Sequence, residues 1–232
     1  MDPITGALVI FGLKYVGQPG AELVKDLVER ILGPAADAKG LALREWIEQR
    51  HNRATDTLFE AGTLLRDAGI EPQPVPGRIL LPLLEKASLQ DQSELQRKWA
   101  ALLANAATPD KMEILPAYVE ILSQLLPLHA SLLDGMFSRQ ELTEEGRIRF
   151  KSVSRDEVLE NLNIDKTSYA VLAVDLHRMR LIEGSSHVWI AADPVGLTNP
   201  TNYGRITLTA LGIHFIAACQ PPARAESFRS PD

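Results

Sequence analysis

The stretch 71–109, EPQPVPGRILLPLLEKASLQDQSELQRKWAALLANAATP, decides the fold class of this chain. In its first six residues every second residue is a proline. Because proline fixes φ and disfavours the α region in the residue before it, residues 71–76 are predicted to form a stiff, extended brace. Two helices are predicted to follow directly. The second helix has apolar residues at i, i+4, i+7, i+8 and i+11, which indicates one buried face: Leu95, Trp99, Leu102, Leu103 and Ala106.

The two predicted helices are closely coupled. The first covers 78–87, with Pro82 in its first turns, where the missing N–H costs no hydrogen bond. Ser88, or a residue between Asp91 and Ser93, is expected to cap the second helix. The run of small residues after Trp99 allows neighbouring helices to approach closely. Asn105 is the one polar residue of that run, and it can satisfy carbonyls at the helix end.

The flanking sequence up to residue 126 is also helical in pattern. A helix of about 35–68 is predicted to end at Gly69, and another is predicted at about 114–126. No segment before residue 126 carries the alternation of a strand. We therefore expect an N-terminal helical domain at 19–126 that contains the 71–76 brace.

The pattern changes after Pro127. Helices are predicted at 128–137, at 155–162 with Ser154 and Glu157 as a capping box, and from Asp165 to about Arg180. Two β segments are then expected at 181–182 and 187–191, about a turn at 184–186. A strand at 205–208 and a helix at 209–218 close the region.

The order of these elements, three helices and then a hairpin, indicates a winged helix-turn-helix-like α+β domain at 127–219. Residues 220–232 are expected to form a disordered tail. The predicted fold class is mainly α.

Composition limits the classes of protein that this chain can belong to. It has 232 residues, 45% of them hydrophobic, and a net charge of −6, which does not indicate general affinity for nucleic acid or anionic lipid. Its single cysteine, Cys219, excludes an internal disulfide and favours a reducing, cytoplasmic location. The apolar segment 4–17, within a separate N-terminal stretch 1–18, is too short to span a membrane stably. We expect it to pack on the protein, with a peripheral membrane or partner contact as the alternative.

Motifs that carry chemistry were not found. The chain has no phosphate-binding glycine loop, no nucleophile elbow and no H-E-x-x-H metal motif. Its five histidines stand at least ten residues apart without a spacing typical of metal ligands. Cys219 is expected to be buried and inert. The sequence therefore predicts no catalytic residues, no metal, no cofactor and no enzymatic activity.

A winged helix raises the question of DNA binding. The candidate contacts on its third helix are Lys166, Ser168 and Arg178, with Val171 and Asp175 expected on the same outward face. Residues 138–219 hold nine basic and ten acidic residues, whereas phosphate contacts need a basic surface. A protein-contact or structural role is favoured, and DNA binding stays as the alternative.

Several motifs of this chain form a long composite pattern. Its core residues are Pro76, Pro82, Leu84, Glu85, Leu95, Trp99, Leu103 and Asn105. It includes Leu208-Thr209-x-x-Gly212-x-x-Phe215-x-x-Ala218-Cys219 near the end. This pattern resembles that of the abortive infection alpha family of bacterial phage-defence proteins. The resemblance is looser at Ile31-Leu32-Gly33-Pro34-Ala35, so that it covers about residues 20–220.

This resemblance implies a role in bacterial defence against phage, which can act by stopping growth of the infected cell. It carries over no catalytic residues, because none are assigned to that family. The expected function is a non-enzymatic defence protein that contacts an unknown protein partner, either phage-encoded or a component of a defence system. A homo-oligomer is compatible with the sequence. The alternatives are a winged-helix DNA-binding regulator and a membrane-acting toxin that uses residues 4–17.

Overall fold

The computed structural model describes residues 30, 53–109, 114–142, 148–185 and 204–223. The described residues are mainly α-helical, which confirms the predicted fold class. The chain divides into two compact units, the first formed by Met1–Gln124 with Ala218–Asp232 and the second by Leu125–Ala217. The apolar segment 4–17, residues 35–52 of the helix expected at 35–68, the β segment at 187–191 and residues 224–232 of the expected tail lie outside the described residues.

The first unit contains four described helices. They are α1 Arg53–Asp67, α2 Gly77–Leu89, α3 Ser93–Ala106 and α4 Pro116–Gln124. Helix α3 packs most extensively on α1, and α2 packs on α4. Gly69 ends the turn after α1 with φ +67°, and the N–H of Ile70 binds the carbonyl of Leu65 at 2.9 Å. The predicted stop at Gly69 is therefore confirmed, because glycine adopts this left-handed conformation without a steric penalty.

The 71–76 segment is held against the end of α3. The Gln73 N–H donates to the Ala107 carbonyl at 2.7 Å, and Val75 is buried. Pro76 precedes α2 in an extended conformation, and its carbonyl accepts from the N–H groups of Ile79 and Leu80. This hydrogen bond and the buried Val75 side chain help to orient the proline-stiffened segment.

Two expectations for α2 and α3 are wrong. Pro82 is the sixth residue of α2, beyond the first turn, so it removes an intrahelical donor that residue 82 would otherwise supply. Helix α3 begins after Gln92, which makes no side-chain cap. The turn is closed by glutamine amides instead, since the Gln90 side chain accepts from the Gln92 N–H at 2.9 Å and Gln96 donates to the Gln90 carbonyl at 3.0 Å.

The second unit mixes helices with short antiparallel strands. Strands β1 and β2 pair with each other, and a second sheet has the order β3-β5-β4. The last helix ends at Ala218, where the chain re-enters the first unit. The elements are α5 Pro127–Phe137, β1 Gln140–Leu142, β2 Ile148–Phe150, β3 Val153–Ser154, α6 Arg155–Leu162, α7 Lys166–Arg178, β4 Ile182–Ser185, β5 Arg205–Leu208 and α8 Ala210–Ala218.

The expected turn at 184–186 is wrong. Gly184 and Ser185 continue β4 and pair with Ile206 and Arg205 of β5. The predicted strand at 205–208 is confirmed, and it lies between β3 and β4. This segment forms a strand because it pairs with β5. Its partner lies some twenty residues later in the chain, so the nearby residues alone do not indicate the pairing.

The β1–β2 hairpin was not predicted. Its strands have three residues each, and Leu142 and Ile148 face each other across it while both are largely exposed. The ring of Phe150 stacks on that of Phe137 with 5.2 Å between ring centroids. Strands this short do not produce a recognisable alternation, which is why the sequence did not predict the hairpin.

The predicted caps of α6 and α7 are confirmed. The Ser154 N–H and hydroxyl both donate to the Glu157 Oε2, at 2.8 and 2.9 Å, and the Glu157 N–H donates back to the Ser154 hydroxyl. Asp165 accepts from the Ser168 N–H at 2.7 Å. These bonds satisfy donors that the first turn of a helix leaves open.

The capping box at the start of α6 predicts that the stability of the protein depends on pH. The Ser154 backbone N–H, its hydroxyl and the guanidinium of Arg139 together lower the pKa of Glu157 from 4.5 to about 2. Because the folded-state pKa lies below the unfolded one, the stabilisation is present above pH 4.5 and is lost as the pH falls toward 2. A ¹³C NMR titration of the Glu157 carboxyl measures this.

Two variants separate the causes of the lowered pKa. We expect Ser154→Ala and Arg139→Gln each to raise the pKa of Glu157 only part of the way to 4.5, because the Ser154 backbone N–H is the largest cause and remains in both. A wild-type pKa at 4.5 would show that the capping box does not form in solution.

Candidate functional site

The candidate site is the solvent-facing side of α7. Lys166, Ser168 and Arg178 are all exposed, as was predicted for the candidate contacts. Between them Val171 is 66% and Val174 39% exposed. We call Lys166, Thr167, Ser168, Val171, Val174 and Arg178 the α7 outer face. The opposite side of the helix enters the core through Tyr169, Leu172, Ala173 and Leu176.

Asp175 was expected on the α7 outer face, but its side chain is not fully exposed there. It is half-buried, and its Oδ1 accepts two hydrogen bonds from Arg178, from Nε at 3.0 Å and Nη2 at 2.8 Å. Its Oδ2 lies 3.5 Å from the Nε2 of His129 on α5. The positive charge of Arg178 is thus compensated by a carboxylate on its own helix, which weakens it as a contact for phosphate.

His129 has a role that the sequence analysis did not find. Its ring is buried, and its Nδ1 accepts from the Leu126 N–H at 3.0 Å. Burial lowers the pKa of His129, and the nearby charge of Asp175 offsets part of that effect. A signal existed, since His129 is the third residue of α5, the position at which a glutamate or glutamine completes a capping box.

A small groove lies between α5 and α6 in the second unit. Its cavity volume is only about 50 Å³, and its lining includes the apolar Met136 and Val158 and the polar Ser131 and Asn161. Arg139, which also lines it, is bound to Glu157 at 3.0 Å. The groove offers no arrangement of a nucleophile and a base.

The core motif of the sequence analysis forms the interior of the first unit. Leu84, Leu95, Trp99 and Leu103 are each at most 1% exposed. Pro76 and Pro82 shape α2, as described above, and Glu85 is exposed. Apart from the exposed Glu85, these positions therefore serve packing and chain direction.

Asn105 is a buried polar residue within that interior. Its Nδ2 amide donates to the Ala101 carbonyl at 3.0 Å, the Ala218 carbonyl at 2.9 Å and the Gln220 carbonyl at 2.8 Å. The amide has two N–H groups, so at least one of them is shared between acceptors. Within the first unit Asn105 thus ties α3 to Ala218, the last residue of α8, and to Gln220 beyond it, which agrees with its predicted role of satisfying carbonyls.

The later motif, Leu208-Thr209-x-x-Gly212, seats α8 in the second unit. The Thr209 hydroxyl donates to the Arg180 carbonyl at 2.6 Å and accepts from the Gly212 N–H at 2.9 Å. A Cβ placed on Gly212 would lie 2.0 Å from the carbonyl oxygen of Leu181. Only glycine fits there, because a backbone oxygen occupies the volume that a side chain would need.

Cys219 is buried, as was predicted. In the part of the chain that the structure describes, no group of three or more His, Cys, Asp or Glu residues is arranged to hold a metal ion. Across the same described ranges, no helix is both long and apolar enough to cross a membrane.

Comparison with known proteins identifies the family. A family model described as Abortive infection alpha matches residues 52–219. That match covers well over half of the 232 residues, and the chain belongs to the abortive infection alpha family. No curated protein and no solved structure matches it. The resemblance that rested on the motif residues is confirmed, and the family connects the chain with abortive-infection defence.

The contacts of Asn105 predict the cost of losing its amide. Asn105→Ala leaves buried carbonyls without a donor, so we expect the free energy of unfolding to fall by roughly 1–3 kcal/mol. Asn105→Asp should cost more, since it places carboxylate oxygens against three carbonyl oxygens. Urea unfolding followed by circular dichroism checks the order, and two equally stable variants would contradict it.

Replacing Gly212 or Gly135 with alanine is expected to change the stability of the protein in opposite directions. Gly212→Ala forces a methyl group onto the Leu181 carbonyl and should destabilise the protein by at least ~2 kcal/mol. Gly135→Ala, on the exposed side of α5 with no atom within 4 Å of the new Cβ, should stabilise by roughly 0.5–1 kcal/mol. Thermal unfolding of both variants measures the difference, and a tolerated Gly212→Ala would refute the close approach.

Proposed function

We propose that this protein acts in abortive-infection defence without enzymatic activity, by binding a protein partner on the α7 outer face. The observation that carries the proposal is the exposed Val171 at the centre of that face, with Val174 one turn further along. Aliphatic side chains in the middle of a solvent-facing helix surface gain free energy when a partner protein covers them. The family membership supports the defence role.

The electrostatics of α7 support a protein partner over DNA. Arg178, one of the three candidate DNA contacts, is bound by Asp175. Two further cations of the second unit are also paired: Arg139 binds Glu157, and Lys151 binds Glu141. A DNA-binding surface needs uncompensated positive charge along its length, and these ion pairs reduce it.

A DNA-binding regulator is the second candidate. It is favoured by the order α5, β3, α6, α7, β4, β5, which fits a winged helix-turn-helix, and by Lys166 and Ser168 at the start of α7, the end that a recognition helix points at bases. We infer that this module is a winged helix used for protein contact. In this proposal the protein works in the cytoplasm, and its partner is a phage product or another defence component.

The double variant Val171→Asp/Val174→Asp tests the surface. It should abolish protection against phage and weaken partner capture from infected cells by about thirtyfold, the effect of losing an interface hot spot of ~2 kcal/mol. The matched control is Leu128→Asp, which makes the same change at a 43% exposed position of α5 and should keep full protection. Circular dichroism confirms that both variants fold.

A second pair of variants addresses DNA. Lys166→Glu/Arg178→Glu reverses the exposed charges of α7 and leaves both valines in place. Retained protection, together with loss in the valine variant, supports the protein partner. Loss of protection with a salt-dependent duplex gel shift that also disappears would establish the DNA-binding alternative.

A further inference from the structure

The contacts of His129 form a chain that runs from the start of α5 to the end of α7. The Leu126 N–H donates to His129 Nδ1 at 3.0 Å, His129 Nε2 lies 3.5 Å from Asp175 Oδ2, and Asp175 Oδ1 binds Arg178. All four residues belong to the second unit. These contacts thus connect the Leu126 N–H at the start of α5 with the Asp175 carboxylate on α7.

The direction of the first hydrogen bond decides the protonation state. A backbone N–H can only donate, so Nδ1 must be an acceptor and carry no proton. The neutral ring then bears its proton on Nε2, the nitrogen that faces Asp175. In this tautomer His129 serves α5 as a glutamine does in a capping box, although Leu126 offers no side-chain acceptor in return.

We propose that His129 is a pH-sensitive latch, which holds the first turn of α5 closed when its ring is neutral and releases that turn when the ring is protonated. A second proton would have to bind Nδ1, where it would meet the Leu126 N–H. Two donors then face each other, and the bond to Leu126 breaks. This inference does not rest on the proposed function, since it uses the contacts of His129 and not the exposed valines of α7.

The surroundings of the ring determine which form the fold prefers. Helix α5 packs against α6, α7 and β5. From α7 Asp175 faces the ring and favours its charged form, but Arg178 shares that carboxylate. His177 of the same helix is directed to the Ile182 carbonyl. The charged side chains of α6 and β5 add no charge effect on His129 among the described residues: Arg155, Asp156, Glu157, Glu160 and Arg205.

Burial of the ring outweighs the attraction of Asp175, which is why the pKa of His129 is lowered. For a base with a lowered folded-state pKa, the unfolded chain binds more protons as the pH falls. The contribution of His129 to stability is therefore complete above its unfolded pKa of about 6.5 and declines below it.

The test uses the full chain with ¹⁵N-labelled histidine. Long-range ¹H–¹⁵N NMR spectra at pH 7.5 should show His129 with an unprotonated Nδ1 and a protonated Nε2, and its titration midpoint should lie below about 6.5. One pH unit below that midpoint about one ring in eleven is neutral. Because the turn is then released in about ten molecules of eleven, the Leu126 amide should exchange at close to its intrinsic rate, whereas at pH 7.5 it should be protected.

Two variants act as controls. His129→Gln keeps an acceptor for the Leu126 N–H but does not titrate, so Leu126 protection should become independent of pH. Asp175→Asn removes the charge that favours the protonated ring and should lower the midpoint further. A proton on Nδ1 at pH 7.5, unchanged Leu126 protection through the His129 titration, or the same pH dependence in His129→Gln would each overturn the latch. If the glutamine variant does not fold, the wild-type spectra decide.

Discussion

Helix α3 must be enclosed on nearly all sides, and the first unit is arranged to meet that requirement. Nine of its 14 residues are buried, among them Trp99 and an unbroken run from Ala100 to Asn105. A helix that is apolar around most of its circumference is stable only when neighbours cover each side. Helix α1 packs along it, and the proline-stiffened 71–76 segment binds the Ala107 carbonyl beyond its end. Asn105 binds the carbonyls of Ala218, the last residue of α8, and of Gln220. The alanines allow these neighbours to come close.

The second unit depends on a different kind of contact, in which backbone meets backbone. The Leu181 carbonyl accepts from the Thr209 N–H and lies where a side chain of residue 212 would be. The same unit keeps one side of α7 open, with valines at its centre and a compensated arginine at its end. The close backbone packing at Gly212 and the exposed apolar surface of α7 are separate requirements. The second one is costly for an isolated protein, and this is why we connect it with a partner.

Local chemistry was predictable and distant pairing was not. The Ser154–Glu157 box, the Asp165 cap and the Gly69 stop each act within four residues, so their residue types specify them. The position of β4 opposite β5 depends on a partner some twenty residues away, and the turn expected at 184–186 was therefore wrong. His129 and Asp175 are 46 positions apart in the chain, and only the third-residue position of His129 hinted at its role. The outward candidates Lys166, Ser168 and Arg178 were located correctly by helical spacing, which also placed Asp175 too far toward solvent.

The sequence by itself determined the helical class, the family and the positions that pack, because periodicity, prolines and glycines act on the chain locally and leave a recognisable pattern. Tertiary structure alone decided what those positions touch. It brought Asn105 to the carbonyls of Ala218 and Gln220, brought Gly212 to the Leu181 carbonyl, and turned Asp175 from the α7 outer face toward His129. Each of these contacts joins residues more than 30 positions apart, and the free energy that selects them comes from burial of the whole core, which no short stretch of sequence contains.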